Sequence, residues 1–301
     1  MNPGALLQAL DRSGLESTVP AAKSTTSSDG AGQPEQTRRR AKTKRGGAMS
    51  RAKPAIIAAI WMLVLLVAWT LVARFIDDRV ILPGPGEVWS RAQQLLFASG
   101  STMWTDVGYS ITRVMSGWAL GIGVGVPLGA LMSTNQYLRI PFDLILQAGR
   151  AVPPLAFIPL LIVWLGIGET SKIFLIFVAT VPILTVATVA GIEGVDRSLE
   201  RAALTLGASR WTLIRKVVIP ATIPDIITAM RISLGLAWSC VVAAELIAST
   251  EGIGYRILQA GRYLETETIF VGIIVIALLA LISDIGLRLL YGLASPWRGT
   301  A

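Results

Sequence analysis

Three groups of side chains in this sequence could act on a solute or a partner. Arg150 stands beside Pro153-Pro154 inside an apolar stretch, where a guanidinium either contacts an anion in a polar cavity or snorkels to an interface. Glu245 lies deep in another apolar stretch and could bind an ammonium group or anchor a neighbouring helix, with Trp164, Trp238 and Ser239 as weaker solute contacts. The third group is the polar run Asp196 to Pro220, DRSLERAALTLGASRWTLIRKVVIP, set between apolar segments. The chemistry on offer is recognition and not bond-making. Histidine is absent, which removes imidazole acid–base catalysis, His metal ligation and a Ser-His-Asp triad. No G-x4-G-K-[ST] loop is present, so ATP hydrolysis would need another chain. The single Cys240 cannot form an intrachain disulfide and reads as a small packing residue.

The elements that must hold these residues are membrane helices. Hydrophobic residues make up 53% of the 301 and charged ones 15%, too apolar for an ordinary soluble globule. Stretches of about 20 apolar residues suffice to cross the hydrocarbon. They fall near 55 to 75, 108 to 132, 141 to 165, 172 to 194, 224 to 248 and 269 to 292, which predicts an all-α integral membrane protein with six transmembrane helices. Residues 1 to 53 form a polar, basic tail read as disordered, 54 to 81 the first span and its exit, and 82 to 297 the remaining core. Ten of the 27 Lys and Arg residues lie before residue 54, so the net charge of +8 reads as positive-inside topology with contact to anionic lipid, not as nucleic-acid binding. An even span count then places both termini and the loop 195 to 223 in the cytoplasm. Trp61, Trp69 and Trp89 read as interfacial anchors.

Within the polar run, Asp196 is placed to cap a helix whose Leu199, Ala202, Ala203 and Leu206 share a face, and Gly207 to end it. Ser209 caps a second short helix that Pro220 should stop. From the pattern alone, an amphipathic helix lying on the lipid surface would look the same. Between the fifth and sixth spans, Gly252 to Leu258 reads as a tight turn and Ala260 to Glu267 as a short amphipathic helix.

The spacing Arg201-Ala202-Ala203, Gly207, Val217-Val218-Ile219-Pro220 resembles the "EAA" coupling loop of permease subunits of bacterial ATP-binding-cassette importers. Leu82-Pro83-Gly84-Pro85, Ser110-x2-Arg113-Val114, Gly125-x-Pro127-Leu128-Gly129, Val152 to Leu160, Trp164-x-Gly166-Ile167-Gly168-Glu169 and Ala243-Ala244-Glu245-Leu246 extend the resemblance from Leu82 to Trp297, within the nitrate, sulfonate and taurine branch. The wording Gly168 to Ile173, Trp238-Ser239, Val242 to Ala248 and Ser295-Pro296-Trp297 looks most like taurine permeases. One departure stands out: Arg201 takes the acidic position of the family pattern, with Glu200 one residue earlier.

The resemblance implies a type I importer permease with a cytoplasmic coupling helix in the bacterial inner membrane. Glu200, Arg201, Ala202, Ala203, Gly207, Ala208, Ser209 and Pro220 would meet the ATPase, and Arg150, Trp164, Trp238, Ser239 and Glu245 would line the path. It further implies a homodimer of this chain with two ATPase subunits and a substrate-binding protein; the helix carrying Arg262 and the segment Gly166 to Lys172 are the expected docking points, because both outside loops are too short to fold alone. No cofactor would be bound by this chain, ATP and Mg being held by the ATPase. The substrate would be taurine, with alkanesulfonate, nitrate or bicarbonate as alternatives. An ion-coupled secondary transporter and an intramembrane enzyme are the readings from other classes, the former usually showing more spans and internal repeats, the latter lacking any H-E-x-x-H or G-x-S-x-G site.

Overall fold

The computed structural model describes residues 47–98 and 100–294. Most of the basic tail and Ser295-Pro296-Trp297 lie outside the described residues. Every regular element among the described residues is helical. The chain divides at Ile60 into two units, and of Met1–Ile60 only helix from Gly47 onward is described. The elements are α1 (Gly47–Ile76), α2 (Pro85–Phe97), α3 (Met103–Thr134), α4 (Gln136–Ala151), a 3-10 turn (Pro154–Phe157), α5 (Ile158–Leu165), α6 (Glu169–Glu193), α7 (Arg197–Thr205), α8 (Arg210–Ala248), α9 (Ile253–Arg262) and α10 (Thr266–Ala294).

A glycine every fourth residue decides the centre of the bundle. Gly117, Gly121, Gly125 and Gly129 fall on one face of α3, where the absence of side chains lets α6 approach. A Cβ on these glycines would lie 2.6 Å from Ile176 Cβ, 2.1 Å from Thr180 Oγ1, 2.9 Å from Leu184 Cβ and 2.6 Å from the Thr185 carbonyl oxygen in turn. The two series rise together, so α3 and α6 run parallel. Their hydroxyls add no unpaired polar group, because Thr180, Thr185 and Thr188 donate to carbonyls of their own helix. Against this pair packs α8, antiparallel to α3: Trp118 Nε1 donates to Ser233 Oγ at 3.1 Å, while Ser110 further up α3 meets Glu245 further down α8. Val114, Trp118, Leu175, Ile176, Leu234, Ala237, Trp238 and Val241 form the shared core, closed on one side by Ile158 and Leu161 of α5.

Since α3 and α6 are parallel, the chain between them must cross back, and it does so in two pieces. The third expected span, 141 to 165, is not one straight helix: α4 and the segment Pro154–Leu165 meet at 94°. Val152-Pro153-Pro154 is the reason. Proline removes two backbone donors and forces the preceding residues out of helical geometry, and Val152 and Pro153 adopt extended ψ of 125° and 126°. Counting that pair as one span gives six membrane-crossing segments, with α1, α3, α6, α8 and α10 as the others.

Two further expectations are corrected. Pro220 does not stop a helix: α8 runs unbroken for 39 residues from Arg210 to Ala248. A π-helical turn at Ile214–Val218 precedes the proline, with the Ile219 amide bonded five residues back to Ile214. That one-residue shift in register moves the hydrogen-bond ladder away from the ring that would otherwise clash. The short helix after α8 is also displaced, to Ile253–Arg262, and ends where Leu264 turns to φ 57°. Trp69 is more than an interfacial anchor. Its ring stacks on Phe270 at 5.5 Å and its Nε1 donates to the Pro83 carbonyl, fastening the Leu82-Pro83 segment.

Candidate functional site

The loop between α6 and α8 forms as its sequence suggests. Asp196 has φ −61° and ψ 120°, and its carboxylate accepts from the Ser198 amide at 2.7 Å to start α7. That donated hydrogen bond holds the Asp196 carboxyl below the usual carboxylate range. Gly207 stands at φ 77°, where a Cβ is strained, and its amide donates to Leu204 while the Ala208 amide donates to Ala203, the paired bonds that close a helix C-terminus. Ser209 Oγ then accepts from the Thr212 amide at the start of α8.

The loop is left open to its surroundings. Leu199, Leu204, Leu206 and Trp211 are all at least half exposed, so α7 and the start of α8 present an apolar face that nothing among the described residues covers. Ala202 is exposed beside them, and Ala203 and Ala208 are half-buried. Arg201 Nε donates to the Arg197 carbonyl, and neither Glu200 nor Arg201 makes an ion pair among the described residues. Pro220 lies in the first turn after the π-helical segment, on the same helix as Glu245.

At the opposite end of α8, Glu245 has no exposed surface. Its carboxylate takes hydrogen bonds from Ser110 Oγ (2.8 Å), Arg113 Nη1 (2.7 Å) and the Gly254 amide (2.9 Å). Arg113, also buried, spends its remaining donors on Glu169 at 2.5 and 2.7 Å and on the Glu251 carbonyl at 2.8 Å, and Lys172 Nζ meets Glu169 at 2.9 Å. Beside them Asp106 accepts from the Gly252 amide and from Arg256 Nε, and the Ile253 amide donates to Ser110 Oγ. Three cations and three carboxylates from α3, α6, α8 and α9 thus share one network whose formal charges cancel. Only glycine fits at 252: its φ is 113°, and a Cβ there would sit 2.5 Å from the Glu245 carboxylate and 2.6 Å from Arg113 Nη1.

The remaining expected residues are scattered. Trp238 is buried, and its Nε1 has no hydrogen-bond partner among the described residues. Ser239, exposed, donates to the Gly235 carbonyl, and Trp164 on α5 is 68% exposed. Arg150 occupies the last turn of α4 and lines a cavity of about 550 Å³ with residues of α6 and α8. The structure therefore gathers Glu245 with Arg113 and Glu169, and sets Arg150 apart from them. Asp106, Ser110 and Arg113 carried no role in the sequence reading. Their four- and three-residue spacing on one face of an apolar helix, with charges of both signs, was the available signal.

Comparison with known proteins follows the same lines. Residues 121–294 match the family model described as binding-protein-dependent transport system inner membrane component. The chain is 38% identical over 248 residues to the taurine transport system permease protein of Escherichia coli K12, covering 81% of this chain and 88% of that one. A Brucella melitensis protein named only as an ABC transporter permease is 45% identical over 205 residues, 68% of this chain and 82% of its own. A Bacillus subtilis protein named for aliphatic sulfonates transport is 34% identical over 247 residues, 82% and 86% of the two chains. Among solved structures, the inward-facing MetNI methionine ABC transporter aligns with a TM-score of 0.52 at 21% identity, over 63% of this chain and 98% of that one, a likeness of fold. With the six-span helical bundle and its protruding two-helix loop, these matches establish that the chain belongs to the inner-membrane permease components of binding-protein-dependent, ATP-binding-cassette transport systems.

Proposed function

We propose that two copies of this chain form the translocation path of an ATP-driven importer for small sulfonates, taurine first among them. The observation that carries the mechanism is the continuity of α8. At 1.5 Å per residue its 39 residues span about 58 Å, almost twice the roughly 30 Å hydrocarbon thickness. The excess projects as the loop helix that ends at Ser209. A partner that moves Trp211, or α7 joined to it through the Gly207 turn, therefore moves one continuous helix reaching to Glu245.

In this reading the loop lies in the cytoplasm, where Glu200 to Ser209 meet an ATPase subunit on which ATP and Mg remain. Both termini share that side. The polar network lies on the outer side and holds α9 in place for a substrate-binding protein that docks near Arg262. Taurine rests on the relative from Escherichia coli, and aliphatic sulfonates, named in the Bacillus subtilis relative, are the second reading. The test is uptake of taurine into proteoliposomes containing this chain, its ATPase and its binding protein. ATP-dependent accumulation is expected. Accumulation of another oxyanion but not taurine would retain the importer and overturn the substrate, and uptake without ATP would overturn the mechanism.

A further inference from the structure

We propose that Arg150 and Asp225 together form a binding site for a small zwitterion, one with an anionic head and a primary ammonium, inside the permease. The proposal rests on the transport reading above and adds a residue that the sequence did not single out. Both side chains line the same open cavity of about 550 Å³, within the range of small-molecule sites, together with Thr228 and apolar residues of α6 and α8. Neither is ion-paired among the described residues, with each other or with a third group. Both side chains, like Thr228, are exposed to the open cavity and not packed against a counter-charge. Ionisable groups left without partners in membrane-embedded helices mark solute pathways by default, because their cost must be offset by water or by a ligand.

The walls of the cavity fix where the charges stand. A Cβ on Gly191 of α6 would lie 3.0 Å from Asp225 Cβ, so the missing side chain at 191 is what lets Asp225 seat against α6. Thr228 Oγ1 donates to the Pro224 carbonyl, leaving its lone pairs free to accept, one turn along from the Asp225 carboxylate. Arg150 and Ile183 also line a second cavity, of about 270 Å³, which continues past the bend at Pro154 toward Leu236. Arg150 thus lines both spaces.

The chemistry discriminates. A sulfonate can take paired, charge-assisted hydrogen bonds from the guanidinium, and an ammonium on the same solute can reach Asp225 and Thr228. A plain alkanesulfonate gains the first contact and meets a carboxylate with nothing to offer it, which is selection by an uncompensated charge.

The test uses this chain with its ATPase in lipid nanodiscs, without the binding protein, and measures radiolabelled taurine binding in competition with unlabelled taurine or ethanesulfonate. Wild type should prefer taurine by about tenfold, the size of one charge-assisted contact. Asp225→Asn should bring the two competitors together, and Arg150→Gln should weaken both. Equal competition in wild type, preference retained in Asp225→Asn, or no taurine binding at all overturns the site. Thr228→Val guards against misfolding of the charge variants: it should narrow the preference while leaving the complex intact, and an unchanged preference counts against the site. Uptake by wild-type proteoliposomes separates the two levels. If taurine is imported and the preference is missing, only the zwitterion site fails; if taurine is not imported, the reading beneath it fails.

Discussion

At its Ala248 end, α8 carries Glu245 without exposed surface, held by groups from α3 and α9, whereas at its Arg210 end Trp211 is 70% exposed. One helix therefore joins a region completed within the chain to a region that is complete only with something else. The closed end buries Arg113 and Glu245 away from solvent and satisfies each. The open end puts apolar side chains outward and spends its polar groups on capping its own backbone. Stability should concentrate at the first and coupling at the second.

The largest expected effect comes from breaking the closed end. Arg113→Met leaves the Glu245 carboxylate buried beside Ser110 with no cation, and removing one partner of a buried pair costs about 3–5 kcal/mol. That is a large share of a total stability of roughly 5–15 kcal/mol. Monodisperse protein in detergent should be largely lost, as read by fluorescence-detected gel filtration after a heating series. Arg113→Met with Glu245→Met should recover part of it, because no charge is then left unpaired at that point. The contact with Glu169, whose side chain is 49% exposed, contributes less, and Glu169→Gln should shift the midpoint far less than Arg113→Met. A double variant as unstable as the sum of its parts would show that the network is not coupled.

The glycine seam tests whether close packing, as well as charge, belongs to the closed region. Gly129→Ala drives a Cβ to 2.6 Å from the Thr185 carbonyl, which is backbone and cannot turn aside, so about 1–3 kcal/mol should be lost. Gly123→Ala is the control on the same helix: nothing lies within 4 Å of its Cβ, and a small gain of about 0.4–1 kcal/mol is expected from the unfolded state. Equal thermal midpoints for the two variants would remove the seam from the account.

At the open end the sign of the comparison reverses. Gly207→Pro cannot adopt φ 77° and loses the amide that donates to Leu204, so the bend between α7 and α8 must change. The disturbance is confined to exposed residues, and the thermal midpoint should move by no more than a few degrees, in line with the about 1–2 kcal/mol of a strained left-handed residue. ATP-driven uptake should be abolished all the same. Full uptake by this variant would mean that the loop geometry does not transmit force, whatever its resemblance to a coupling loop.

How far the sequence foretold these regions follows from the range of the interactions. Capping by Asp196 and Ser209 and the turn at Gly207 depend on neighbours within four residues, and the sequence read them correctly. The π-helical turn before Pro220 was missed because a proline is locally a helix stop, and only the pull of a helix continuing into the core makes the detour worthwhile. Similarly, the apolar run 141 to 165 satisfied every composition test for a span, while Val152-Pro153-Pro154 bent it by 94°. Arg113 was visible as a charge in an apolar helix. Its partners are 56 and 132 residues away in sequence, and no periodicity connects them.

The smallest effect expected is also the most local. The Ser198 amide bonds to the charged form of Asp196, so the folded carboxyl titrates below its ordinary value. A depressed carboxyl contributes its stability at any pH above the unfolded value of about 3.9 and loses it as pH falls through the folded value. Acid should therefore loosen the start of α7. Amide exchange at Ser198 and Leu199, corrected for the intrinsic rate, should show lower protection at about pH 3 than at about pH 5. Asp196→Asn keeps an oxygen to accept from the amide and has no proton to gain, so its protection should stay level across that range. Acid loosening that persists in Asp196→Asn would place the titrating group elsewhere in the loop, with Glu200 the next carboxylate to replace.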